Sequence, residues 1–356
     1  MKKILCFIDS LASGGAERQM SYLVSGLQKT GCNVTLVVFS DAMPFYKDRV
    51  VESGAKLIFD TNGFNKYRRI LRICHWVKTI RPDAVIAYKD GVTMAACLAK
   101  MLTPFRLIVS ERNTTQILSR YERMKFALYR MADKIVPNSF AQARFIERNY
   151  PGLYKKATVI TNALDIEAFK FPKERTQNKP LVCVTTARIM PQKNVLRFLE
   201  ALALIKRHKG EVLFKWFGNQ SDAYFDEVQS KVTTLGLDDF IEFHAAVKEV
   251  DKEYAAADFF CLPSIYEGFP NVVCEAMSCG LPVICGNVCD NADIVTDGEN
   301  GFLFDPYNTK DIANCIEKVM TMTEEERKRI GLANRAKIEH LCSQKAFISK
   351  YMALIQ

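Results

Sequence analysis

Short apolar runs punctuate the chain and alternate with stretches long enough for a helix. In the first half they are Ile4–Ile8, Val34–Phe39, Leu57–Phe59, Ala84–Tyr88, Leu107–Val109 and Ile135–Pro137. In the second half they are Leu181–Thr185, Val212–Phe217, Ile241–Phe243, Phe259–Leu262, Pro282–Cys285 and Gly301–Phe304. Continuous apolar runs this short predict strands buried on both faces. Between the first two, Gly14-Gly15-Ala16-Glu17 opens a helix with Met20, Leu23, Val24 and Leu27 on one face, and Gly31 stops it. Strands and helices taking turns in this way predict parallel strands joined by crossover helices. Residues 171–180 turn polar and lose periodicity, as a linker does. From Asn308 to Gln356 the pattern is helical throughout, and no tandem repeat is visible.

These patterns predict two open α/β domains, with residues 1–170 in the first, a linker over 171–180, and the second over 181–335. Residues 336–356 are expected to form a terminal helix that crosses back to the first domain. Ligands of open α/β sheets bind outside the carboxyl ends of the strands, so a site is expected in the cleft where two such domains face each other.

Composition narrows the class. A chain of 356 residues exceeds one comfortable core, and 49% hydrophobic with 25% charged residues is ordinary for a globular protein. No apolar run reaches the ~18 residues of a spanning helix. The start, Met1-Lys2-Lys3 followed by Ile4–Ile8, is basic then apolar, but Asp9 closes it and no small-residue cleavage site follows. The 12 cysteines are scattered through apolar segments without Cys-x-x-Cys, which fits buried, reduced thiols in a cytoplasmic protein better than a zinc site. Charge is uneven. Residues 1–170 hold 27 Lys and Arg against 14 Asp and Glu, whereas the remainder holds 22 against 26. A basic first half suits either an anionic surface or solvated helix faces.

The densest candidate chemistry runs from Ser264 to Met277. Glu267 should lie on a loop after the strand Phe259–Leu262, Pro270 in the first turn of a helix, and Glu275 two turns into it. The helix's free amides then point back into the loop, a ready place for phosphate between two carboxylates. After the strand Leu181–Thr185 come Arg188, a rigid fork, and Lys193, a mobile point charge; together they suit a diphosphate. Gly14-Gly15 reads equally as a tight turn or as a close approach of backbone to a ligand.

Taken together, Glu267-Gly268-Phe269-Pro270-Asn271, Glu275-Ala276-Met277-Ser278-Cys279-Gly280, Asp297-Gly298-Glu299-Asn300-Gly301, the Arg188 and Lys193 pair and Gly14-Gly15 resemble the retaining glycosyltransferases of family 4. The likeness covers essentially the whole chain, in family order, and is closest to members that build bacterial surface polysaccharides or lipid-linked oligosaccharides. It implies the GT-B architecture: two Rossmann-like, doubly wound domains facing each other across a cleft, the first for the acceptor and the second for a nucleotide-sugar, UDP-linked.

The resemblance also implies roles. Arg188 and Lys193 would neutralise the donor diphosphate, helped by the amides of Asn271, Val272 and Val273, with Gly15 approaching from the other domain. Glu275 would hold the ribose. Glu267 and the backbone of Gly268, Phe269 and Pro270 would grip the transferred sugar, and Gly218 would pack beside the nucleotide. With no Asp-x-Asp present, no metal cofactor is implied; cations and amides would stabilise the leaving diphosphate.

Two departures matter. Asn162 is followed by Ala163 where the family commonly has glycine. Ser110-Glu111-Arg112-Asn113-Thr114 stands where many members carry a histidine. Glu111 and Asn113 are therefore candidates for donor-sugar or acceptor contact, with a strand-end ion pair as the competing reading of Glu111, and Asn162 is a third candidate. The basic, aromatic helices around Lys66-Tyr67-Arg68-Arg69 and Arg123-Met124-Lys125-Phe126 read either as core packing or as a peripheral surface for anionic lipid. No nucleic-acid module is visible. A nucleotide-sugar epimerase of similar build and an inactive sugar-binding or membrane-associated protein are the competing functions.

Overall fold

The computed structural model describes residues 1–115, 117–171, 179–218 and 223–355. They form two compact units, Met1–Ala163 with Gln344–Gln356, and Leu164–Ser343.

The first unit holds β1 (Lys3–Ile8), β2 (Asn33–Val38), β3 (Lys56–Phe59), β4 (Ala84–Tyr88), β5 (Leu107–Glu111) and β6 (Lys134–Pro137). They pair in parallel in the order β3-β2-β1-β4-β5-β6. Each strand is apolar on both faces because each face is covered. Ile4, Cys6 and Ile8 join one core with the helix Gly15–Lys29, and Leu5 and Phe7 join another with Ile73 and Val77. The helix Gln344–Ile355 belongs to this unit: Phe347, Ile348, Tyr351, Leu354 and Ile355 are buried in the first of those cores.

The second unit holds β7 (Leu181–Thr186), β8 (Val212–Phe217), β9 (Ile241–His244), β10 (Phe259–Leu262), β11 (Val283–Gly286) and β12 (Gly301–Phe304). Their order, β12-β11-β10-β7-β8-β9, repeats that of the first unit strand for strand, again all parallel. In this doubly wound order the chain reverses direction across the sheet between the first and fourth strands. The crevice for a ligand opens there, beside β1 and β4 in one unit and beside β7 and β10 in the other.

The units divide at Ala163, earlier than the expected boundary at residue 170. The Leu164 amide donates to the Cys342 carbonyl at 2.8 Å, and Leu164, Ile166 and Phe169 pack in a core of the second unit. Most of the expected 171–180 linker, residues 172–178, lies outside the described residues. The expected terminal helix 336–356 is two helices. Glu324–Cys342 stays in the second unit, where Ile338 and Cys342 are buried, and extended Ser343 separates it from Gln344–Ile355. Among the described residues, no helix is long and apolar enough to cross a membrane. The cysteines are free, all buried except half-buried Cys289.

Candidate functional site

In the second unit, the strand order brings the loops after β7 and β10 side by side although they are far apart in sequence. Backbone and side chain join them: Ile265 N–H donates to the Gln192 carbonyl at 3.0 Å, and Gln192 Nε2 to the Tyr266 carbonyl at 2.9 Å. Lys193 ends a short 3₁₀ turn, Pro191–Lys193. Asn194 follows at φ 60°, its side chain donating to the Pro306 carbonyl at 2.7 Å, and from there the helix Val195–Leu204 runs on. This anchorage places Lys193 Nζ 2.5 Å from Glu267 Oε1, with both side chains nearly nine-tenths buried. Arg188 is exposed and forms no ion pair among the described residues. So Lys193 is not a free cation: its charge is matched by Glu267, while exposed Arg188 meets no carboxylate among the described residues.

The helix Asn271–Ser278 starts one residue after Pro270, which precedes it rather than sitting in its first turn. Asn271 N–H donates to the Phe269 carbonyl at 2.9 Å, so of the three amides implied as a phosphate cradle, those of Val272 and Val273 lack an intrahelical acceptor. Glu275 lies little more than one turn in, nearer the helix start than expected, and is buried. Phe269 is buried, Gly268 half-buried, and the Glu267 amide faces Cys289 Sγ at 3.5 Å.

Gly218 has an internal reason to be glycine. A Cβ there would lie 2.0 Å from the Ala187 carbonyl oxygen, which accepts from Trp216 Nε1 at 2.8 Å. The end of β8 is thereby pressed against the backbone leading to Arg188.

In the first unit, an open pocket of about 440 Å³ lies at the carboxyl ends of β1, β4 and β5, lined by Asp9, Gly15, Lys89, Asp90, Arg112 and Asn113. The two glycines at the helix start differ. A Cβ on Gly14 would strike the Glu17 carboxylate at 2.1 Å, whereas one on Gly15 would meet nothing within 4 Å. Nothing inside the unit requires glycine at position 15. Lys89 adopts φ 70°, a conformation that costs a residue with a side chain on the order of 1–3 kcal/mol. It reaches Glu17 at 2.6 Å and Asp9 at 3.2 Å.

Beneath the pocket, fully buried Lys125 lies 3.0 Å from Glu111, 2.7 Å from Glu122 and 3.6 Å from Asp90. Burial, with Asp90 nearby, pushes the Glu111 carboxyl up to about 7 against the opposing pull of Lys125. Tyr129 donates at 3.2 Å to the same Glu111 oxygen, Oε2, that faces Lys125. Glu111 is therefore a buried strand-end ion pair, out of reach of a ligand in the pocket, whereas Asn113 is exposed at the rim. Asn162 is buried too, its amide oxygen accepting from Arg112. Where the family commonly has glycine, Ala163 is held between both ends of the Gln19 amide, at 2.7 and 2.8 Å.

Burial divides the basic residues of the two helices between the two readings. Arg69 is buried and donates to the Gly63 and Phe64 carbonyls, and Lys125 is spent on the cluster just described. Lys66, Arg68, Arg120 and Arg123 remain exposed. Sequence reasoning passed over Lys89, Asp90 and Arg112. Lys89-Asp90 does follow the strand Ala84–Tyr88 directly, and that position beside a switch point was a readable signal.

Comparison with known proteins agrees along the chain. Residues 13–168 match the model of Glycosyltransferase Family 4, and residues 166–337 that of Glycosyl transferases group 1. A similar protein of Campylobacter jejuni is an N-acetylgalactosamine-N,N'-diacetylbacillosaminyl-diphospho-undecaprenol 4-alpha-N-acetylgalactosaminyltransferase, 24% identical, with 98% of each chain covered. The amylovoran biosynthesis glycosyltransferase AmsD of Erwinia amylovora is 24% identical over 94% of each. Among solved structures, a glycosyltransferase from Rickettsia africae superposes with a TM-score of 0.87 at 17% identity, covering 99% of this chain and 97% of the other. Anabaena HepE in complex with UDP and glucose gives 0.83 at 20%, covering 100% and 99%. At those identities the structural likeness speaks for the fold, which is the GT-B fold. Two doubly wound units and family models that together run from residue 13 to residue 337 place this chain among the family 4, group 1 glycosyltransferases.

Proposed function

We propose that this glycosyltransferase moves a hexosyl or N-acetylhexosaminyl residue, with retention of configuration and without a metal, from a UDP-sugar to a polysaccharide or lipid-linked oligosaccharide. The observation that carries this reading is the Lys193–Glu267 pair held at the switch point of the second unit, with exposed Arg188 and the amides of Val272 and Val273 on the same loops and helix. Breaking the bond between the anomeric carbon and a diphosphate leaves negative charge on the diphosphate, and positioned cations and amides are what such a leaving group needs. Glu267 would take the transferred sugar's hydroxyls, its carboxylate aimed by Lys193. Glu275 would take the ribose, and the backbone from Gly268 to Asn271 would line the donor. The acceptor hydroxyl forms the new bond on the face the diphosphate leaves, and its proton passes to the departing phosphate oxygen. Support for the donor and acceptor classes comes from the HepE complex with UDP and from the diphospho-undecaprenol substrate in the name of the Campylobacter relative.

Acceptors of that kind reside in membranes, and the first unit suits a peripheral position on the cytoplasmic face. Phe64, Tyr67 and Leu71 are 65–71% exposed, beside exposed Lys66 and Arg68. Apolar side chains flanked by cations are the composition of an interfacial helix.

The deciding experiment is a panel of UDP-, GDP- and ADP-sugars with a prenyl-diphosphate-linked glycan, scored for new product and its anomeric configuration. A UDP-sugar is expected to give a product of retained configuration without added metal. Inversion, or epimerised donor with no transfer, would refute the proposal.

A further inference from the structure

In the second unit, one peptide unit is gripped at both edges. The carbonyl of Tyr266 accepts from Gln192 Nε2 at 2.9 Å, and the amide of Glu267, the other half of the same peptide unit, donates to Cys289 Sγ at 3.5 Å. A planar trans peptide carries its C=O and N–H on opposite edges, so partners on both stop it from pivoting, which a single partner would allow. The grip follows from the strand order. β10 lies between β7 and β11, and the loops after those two neighbours supply Gln192 and Cys289.

Both partners are themselves held. The Gln192 carbonyl accepts from Ile265 N–H at 3.0 Å, and Lys193 is the next residue. Cys289 keeps φ 48°, a left-handed conformation unfavourable to a residue with a side chain, which persists only where the surroundings impose it. Here they do. On one side Asn287 N–H donates to the Phe304 carbonyl at 2.7 Å, and on the other the Asn291 side chain donates to the Gly286 carbonyl at 2.8 Å. Two neutral hydrogen bonds, one of them to sulfur, add little to stability. What they fix is direction. A carboxylate in a site must sit within about 0.5 Å of its productive place, and a displacement of about 1 Å can cost about 10²-fold in rate.

We propose that Gln192 and Cys289 are positioning residues that lock the Tyr266–Glu267 peptide and thereby aim the Glu267 carboxylate, whose other hold is Lys193 at 2.5 Å, at the transferred sugar. The inference rests on the glycosyltransferase reading above and deepens it: Glu267 is directed through its backbone as well as through its ion pair. Because Glu267 is assigned to the sugar, UDP alone should not sense the lock.

Two measurements test it. With the UDP-sugar and acceptor that the panel identifies, Gln192→Met and Cys289→Ala are each expected to lower kcat about tenfold or more and to leave the dissociation constant of UDP within about twofold. Combined, they should cost no more than the worse one alone, because both act through one peptide. Cys289→Ser, which keeps an acceptor, should recover most of the loss. A kcat within about twofold of wild type in either variant, losses that multiply in the double variant, no recovery with serine, or a parallel loss of UDP affinity would each overturn the inference. The second measurement needs no turnover, so it stands even if the wild-type chain transfers nothing and the parent reading fails. Hydrogen exchange of the Glu267 amide is followed by NMR. Gln192→Met should speed it about fivefold or more, although Gln192 bonds the opposite edge of the peptide. An unchanged exchange rate would overturn the lock itself.

Discussion

At the scale of single residues, the two cations of the second unit should fail differently. Arg188 is exposed and forms no ion pair among the described residues, so Arg188→Ala should lower transfer about 10²–10³-fold, the usual cost of losing one charge-stabilising donor. Its melting temperature should move by less than about 2 °C, since Arg188 is exposed and forms no ion pair among the described residues. Lys193→Ala instead strands the largely buried Glu267 carboxylate and should cost stability of about 1–3 kcal/mol as well as activity. Adding Glu267→Gln should recover much of the stability and none of the transfer; denaturant titration beside a product assay separates the two. Glu111 supplies a pH signature. Its carboxyl is held up to about 7 in the folded chain against an ordinary 4.5 when unfolded. Between those values the unfolded chain has released a proton that the folded chain keeps, so this residue's contribution to stability falls as pH rises from about 4.5 to 7. Unfolding free energies across that range should lose this downward component in Glu111→Gln.

At the scale of elements, the strands were readable because each is a short apolar run covered on both faces, a pattern that needs no knowledge of neighbours. Lys3–Ile8, Ala84–Tyr88, Val212–Phe217 and Phe259–Leu262 lie within a residue of where periodicity puts them. Helix starts were less readable: Pro270 sits before its helix because Asn271 N–H turns back to Phe269, a choice made by loop geometry. Behind that helix the packing is close. Gly280 ends it at φ 76°, and a Cβ on Gly331 of the helix Glu324–Cys342 would lie 2.2 Å from the Gly280 carbonyl oxygen. Gly331→Ala must therefore push the two elements apart, with an expected loss of about 1–3 kcal/mol in the unfolding free energy of the second unit. A neutral or stabilising result in urea titration would show that the contact is looser than it stands.

At the scale of the whole molecule, the last helix ties the chain's end into the unit that contains its beginning. It buries Phe347, Ile348, Tyr351, Leu354 and Ile355 in the first unit's core, and Tyr351 meets the Tyr88 hydroxyl at 2.7 Å. Burial at about 1.5–3 kcal/mol per large side chain makes this helix worth as much as a domain's usual net stability of about 5–15 kcal/mol. A chain ending at Ser343 should lose the cooperative unfolding of the first unit, read by calorimetry, while keeping that of the second. The proposed membrane position is tested at the same scale. Replacing Tyr67 and Leu71 with Ser, and Lys66 and Arg68 with Gln, should weaken co-sedimentation with anionic vesicles more than tenfold, given about 1 kcal/mol per cation near such a surface. Unchanged binding would mean that these side chains are merely solvated.

The stretch from Glu267 to Glu275, the repeated strand–helix rhythm and the presence of two domains followed from local pattern alone, because a run of apolar side chains or a helix start acts within a turn or two of chain. Tertiary structure decided what these residues face. It paired Glu267 with Lys193, 74 positions away, because the strand order sets the loops after β7 and β10 together. It turned Glu111, Lys125 and Arg69 inward, moved the unit boundary to Ala163, and gathered Asp9, Asp90 and Arg112 around one pocket. Ion pairing and burial depend on distances in space, and in a doubly wound sheet the neighbours that set those distances come from strands remote in sequence.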